Sequence, residues 1–157
     1  MSEEQNLLAE LLKSAIDMVY EEDRPLLNFN EEDRKGLEQA FVFRVGIHLS
    51  NLLKGTEYEV LDLDSEYNKN HGVTKTSVNF PNGMRPDLLI HQRDTHNQNK
   101  LAVEFKGHWE NNIQSDLNKL KDLTSSNEDY QYLLGVFVHI GRTEASFRNF
   151  INGIENE

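Results

Sequence analysis

Up to Gly55 the apolar residues of this chain recur every three or four positions, and beyond it they alternate or run together in short blocks. That change of period requires helices first and strands afterwards. Leu7, Leu8, Leu11, Leu12, Ala15, Ile16 and Val19 form a narrow helical stripe, which Pro25 and the "RPLLNFN" stretch end. Asn30 is suited to cap a second helix, with Glu31, Glu32 and Asp33 in its first turn. That helix should run through Leu37, Ala40, Phe41, Val45, His48, Leu49 and Leu52 and stop at Gly55.

Strands are expected over Tyr58–Tyr67, Arg85–Gln92, Lys100–Lys106 and Gln131–Ile140, with a further short one within "VTKTSVNF". "PNGM" and "RDTHNQN" supply turns. Asn112–Thr124, carrying Ile113, Leu117, Leu120 and Leu123, reads as a helix, and Lys119 and Lys121 as its wet side. Thr143 should open a closing helix bearing Phe147, Phe150, Ile151 and Ile154. Such an order implies an α/β fold, a central mixed sheet flanked by helices. With no repeat and no linker, residues 1–157 read as one domain: a helical extension over 1–29, a core over 30–142 and a C-terminal helix over 143–157.

A chain of 157 residues can bury a real core. No apolar run approaches the roughly 18 residues a membrane helix needs, and the acidic N-terminus does not look like a secretory signal. The absence of cysteine excludes thiolate metal sites and fits a cytoplasmic location. The formal charge of −11 is uneven: residues 1–40 carry 11 acids against 4 bases. Non-specific attraction to nucleic acid is therefore excluded as the main source of binding. A nucleic-acid partner has to be held by a local patch or through bound metal.

The second and third strand segments raise a sharper question, because Asp87 opens one and Glu104 and Lys106 lie inside the other. Charged groups are rarely buried unless paired or ligating. Residues two apart on a strand share a face, so Glu104 and Lys106 point together while Phe105 points away. If the two strands pair, Asp87 approaches Glu104, and convergent carboxylates call for a cation or a proton between them. A hard divalent ion meets that need and suits phosphodiester hydrolysis, with Lys106 placed to orient water. The bland alternative is a structural ion-pair network at a strand edge. The histidines show no zinc-ligand spacing.

Pro86-Asp87 followed by Glu104-Phe105-Lys106 on the next strand resembles the motif of the PD-(D/E)xK nuclease superfamily. The likeness runs from about Glu38 to about Ile140, taking in "EQAFVFRVGIHLSNLL", "SEYNKN", "RPDLLIHQR", "DLNKLKDLT" and "YLLGVFVHI". It implies a restriction-endonuclease-like αβββαβ core preceded by an extra helix. It also implies Asp87, Glu104 and the Phe105 carbonyl as ligands of Mg2+ or Mn2+, Lys106 as catalytic lysine, and Glu38 as a further acidic member of the site. Glu66 is a weaker candidate, for a place behind the metal ligands rather than on the ion. Arg85, Lys69 and His108 are candidates for substrate contact.

The function so implied is metal-dependent hydrolysis of nucleic acid, DNA above RNA. A catalytically idle scaffold serving protein–protein interaction is the alternative, favoured by the acidic composition and the lack of a basic stripe. The leucine stripe over residues 7–19 would serve equally for docking on the chain's own core or for a homodimer.

Overall fold

The computed structural model describes residues 1–27 and 37–156. Helix α1 (Glu3–Glu22) is started by a capping box in which Ser2 and Gln5 satisfy each other's backbone N–H groups. Leu8, Leu12, Ala15, Ile16 and Val19 are fully buried along it, so the leucine stripe serves the chain's own core. At about 1.5–3 kcal/mol per buried large side chain, that face fixes α1 to the domain. Helix α2 (Glu38–Leu53) buries Phe41, Val42, Val45 and Leu49 beside it. The expected cap at Asn30 and its acidic first turn lie outside the described residues.

Strands β1 (Asp62–Asp64), β4 (Leu88–His91), β5 (Leu101–Gly107), β6 (Leu134–Ile140), β7 (Ala145–Ile151) and β8 (Ile154–Asn156) form one mixed sheet in the order β1-β4-β5-β6-β7-β8. Only β5 and β6 are parallel, and helix α3 (Gln114–Thr124) makes the crossover between them. Strands β2 (Lys69–Asn70) and β3 (Val73–Thr74) form a separate small hairpin.

Leu88, Ile90, Leu101, Val103, Phe105, Val136 and Val138 pack under α1 and α2. Leu89, Ala102 and Phe137 point to the opposite face, against Leu117, Leu120 and Leu123 of α3. β5 and β6 are thus covered on both sides, which explains their nearly unbroken burial. At Gly135 an added Cβ would lie 2.9 Å from Thr124 Cγ2, so the missing side chain lets α3 pack close on β6.

Three sequence expectations are corrected. Tyr58–Tyr67 is not one strand: a 3-10 turn over Glu57–Val60, capped by the Thr56 hydroxyl, buries Tyr58, and pairing begins at Asp62. The "VTKTSVNF" strand is reduced to Val73–Thr74 and stays outside the main sheet. Residues 143–157 contain no closing helix among those described, but the β7–β8 hairpin. Asn152 and Gly153 have φ of 52° and 77°, the paired positive values of a tight hairpin turn. Phe147 and Ile151 pack on one face of the sheet while Phe150 is buried on the other, so strand geometry uses residues whose spacing mimics a helix.

A candidate metal centre at the open edge of β5

Strand β4 pairs with β5 in the register Leu88↔Val103, Leu89↔Ala102 and Ile90↔Leu101. Carried one step further, that register sets Asp87 opposite Glu104, on the face toward α3. The ladder ends there, leaving the edge of β5 from Glu104 to Gly107 without a strand partner. Two carboxylates take the strand's place. The Phe105 N–H donates to Asp87 Oδ2 at 2.7 Å, and the Gly107 N–H donates to Glu38 Oε2 at 2.9 Å. Glu38 can do so because it opens α2, whose start reaches the C-terminal end of β5. A residue's N–H and C=O leave a strand on the same edge, so the Phe105 carbonyl faces this opening too.

Glu104 is 1% exposed. Its Oε2 accepts from Lys119 Nζ at 2.7 Å, whereas Oε1 has no hydrogen-bond partner among the described residues. Lys106 Nζ lies 2.9 Å from Asp116 Oδ2, and Lys119 Nζ lies 3.6 Å from Asp116 Oδ1. Strand and helix therefore exchange charges: glutamate and lysine from β5 meet lysine and aspartate from α3. Lys119 is 14% exposed, so its sequence reading as wet helix surface is corrected. Asp116 and Lys119 sit at the i and i+3 positions of the face that carries Leu120 and Leu123, a spacing that could have revealed both.

Burial is the main cause raising Asp87 to about 6, with Glu38 and Asp116 adding repulsion against the relief given by the Phe105 N–H and Lys119. Burial, then the charge of Asp87, pushes Glu104 well above the usual carboxylate range. For Lys106, burial favours the neutral amine, but the hydrogen bond and charge of Asp116 with the charges of Glu38 and Asp87 hold it above its ordinary value. Lys119 is likewise disfavoured as a cation by burial and held up by Glu104 and Asp116.

With all four carboxyls ionised, Glu38, Asp87, Glu104 and Asp116 would face two ammonium groups (Lys106, Lys119), two positive charges short of balance. The raised values of Asp87 and Glu104 reflect burial together with that shortage. Among the described residues, no three His, Cys, Asp or Glu side chains are gathered closely enough to hold a metal ion as they stand. The donors nevertheless fit a hard divalent cation: a bare buried carboxylate oxygen, a second carboxylate opposite it in register, and a carbonyl on the same edge. A divalent ion would also supply the missing charge.

The other expected residues are less well placed. Glu66 meets Asp87 through its backbone, its N–H 3.4 Å from the Asp87 carbonyl, while its carboxylate lies 3.7 Å from exposed Arg85. His108 follows β5 directly, its ring edge-on to Trp109 at 5.0 Å. Lys69 lies in the β2–β3 hairpin, beside a small cleft lined by Tyr67, Lys75, His91 and Tyr132. No helix of the described residues is long and apolar enough to cross a membrane. No protein-family profile, no curated protein and no solved structure matches this chain.

Proposed function

We propose that this chain is a divalent-metal-dependent phosphodiesterase of the PD-(D/E)xK type that hydrolyses nucleic acid, with DNA the first substrate to test and the cytoplasm its setting. The order α2, β1, β4, β5, α3, β6 supports a restriction-endonuclease-like αβββαβ core, with α1 as the extra helix. The observation that carries the reading is the open edge of β5. Asp87 stands opposite Glu104 there, and a buried Glu104 oxygen has no hydrogen-bond partner among the described residues.

Bound at Asp87, Glu104 and the Phe105 carbonyl, Mg2+ or Mn2+ would polarise a phosphoryl oxygen and ease deprotonation of water. Lys106 is charged and partly exposed, suited to orient the attacking water or to meet charge developing on the phosphoryl oxygens. Glu38 fixes the end of β5 through Gly107 and contributes negative charge near Lys106. Arg85, exposed beside Pro86-Asp87, is the substrate contact the geometry favours over Lys69 and His108.

One observation favours the idle-scaffold reading: α3 already pairs the motif glutamate and the motif lysine. Degradation of single- and double-stranded DNA and RNA, assayed with Mg2+, Mn2+ or chelator, separates the two readings. Cleavage that needs metal and is lost in Glu104→Gln and Lys106→Ala supports the phosphodiesterase. Cleavage unchanged by both substitutions would assign the activity elsewhere. No cleavage of any substrate in either metal would favour the scaffold.

A further inference from the structure

The pairing of Glu104 with Lys119 says how an ion would enter. Glu104 is almost wholly buried, and the ammonium 2.7 Å from its Oε2 occupies the surroundings of a carboxylate that a divalent cation also needs. An ammonium and a divalent ion on one buried carboxylate repel each other strongly, since the low-dielectric interior screens them poorly. Lys119 has a second berth, because Asp116 Oδ1 already lies 3.6 Å from its Nζ. Asp116 in turn holds Lys106 at 2.9 Å.

We propose that Lys119 is the resident counter-ion of the metal centre, and that a divalent cation binds Glu104 by displacing Lys119 onto Asp116, which loosens the hold of Asp116 on Lys106. The proposal rests on the metal-centre reading above and adds a positioning role for two α3 residues. It also ties metal entry to the release of Lys106 for work on substrate.

The test is calorimetry of Mn2+ binding to the wild type, Glu104→Gln, Lys119→Met and Lys119→Met/Glu104→Gln, each checked for folding by circular dichroism. Methionine keeps much of the lysine's apolar stem. Lys119→Met is expected to bind Mn2+ at least about tenfold more tightly than the wild type. The double variant should lose that binding. Equal affinity in wild type and Lys119→Met, with both losing binding on Glu104→Gln, overturns the displacement and leaves the metal centre standing. Absence of binding in folded Lys119→Met, or binding indifferent to Glu104→Gln, overturns both. Lys119→Gln is the replacement should the methionine variant not fold. In wild-type protein with 13C-labelled lysine, added Mg2+ should shift the Lys119 Cε signal and leave that of Lys13, paired with Asp17 on the far surface, unmoved. A Lys119 signal that stays put while Mg2+ binds overturns the displacement.

Discussion

Lys106 Nζ lies 2.9 Å from Asp116 Oδ2, so the lysine of the strand motif is held by the helix packed beside it. Both side chains are shielded, 21% and 12% exposed, and the bond ties β5 to α3 next to the Glu104–Lys119 pair. Removing Lys106 alone leaves Asp116 short of a cation. Lys106→Met is therefore expected to cost about 1–3 kcal/mol in urea unfolding. Asp116→Asn in the same chain should recover part of that loss, and the double-mutant cycle measures the coupling directly.

The carboxyl of Asp87 gives the metal-free protein a signed pH dependence. Its folded value, about 6, lies above the ordinary 3.8, so the folded state holds the proton more tightly than the unfolded chain. The associated stability is complete below the unfolded value and is lost as pH rises through the folded one. Thermal melts in chelator should thus show a contribution from Asp87 that declines between about pH 4 and 6. Asp87→Asn should remove it and stabilise the metal-free protein at neutral pH. Added Mn2+ should restore stability to the wild type above pH 6 and do little for the variant.

A second buried charge lies apart from the carboxylates. Lys75 is 2% exposed, its Nζ 3.3 Å from the Tyr132 hydroxyl and 5.3–5.7 Å from the ring centres of Tyr67, Tyr130 and Tyr132. Burial lowers it to about 8, against the smaller upward pull of Asp64. A lysine lowered in the folded state binds its proton more weakly there than in the unfolded chain, so its contribution to stability rises with pH from about 8 toward 10.5. Lys75→Met should flatten that rise and raise the melting temperature at pH 7, where the native amine is a poorly solvated cation.

Glu38→Ala removes the acceptor for the Gly107 N–H, and about 1 kcal/mol of stability is expected to go with it. Glu38→Gln keeps an acceptor oxygen while removing the charge. Retained stability with reduced metal-dependent cleavage in Glu38→Gln would assign the side chain an electrostatic role. Equal stability losses in both variants would show that the charge, not the hydrogen bond alone, secures the strand end.

The β7–β8 turn gives a test of the fold independent of the site. Gly153 has φ of 77°, and Gly153→Ala should cost about 1 kcal/mol in urea. Wild-type stability in that variant would contradict the tight hairpin.

Much of this arrangement was legible in the sequence. The alternation of Val103, Glu104, Phe105 and Lys106 places the two charges on one face, and the structure puts that face toward α3. Asp87 immediately precedes β4, shorter than the strand expected over Arg85–Gln92, and the register carried one residue beyond its last pair sets it opposite Glu104. What escaped was set by contacts between distant segments. Lys119 occupies a polar position in a helical pattern, and only the packing of α3 over β5 makes it a buried partner of Glu104. Phe147, Phe150, Ile151 and Ile154 fit a helical repeat, yet Asn152-Gly153 is a strong hairpin signal that should have outweighed it. The 3-10 turn at Glu57–Val60 follows from the Thr56 cap, a local bond hidden within an alternating pattern.

The central claim is that Glu104, at the open edge of β5, holds a divalent cation. Calorimetry of Mn2+ binding to the wild type, Glu104→Gln and Glu10→Gln tests it most directly, since Glu10 lies on the exposed face of α1. Binding kept in Glu10→Gln and lost in Glu104→Gln is the predicted result. The same heats in all three proteins would contradict it.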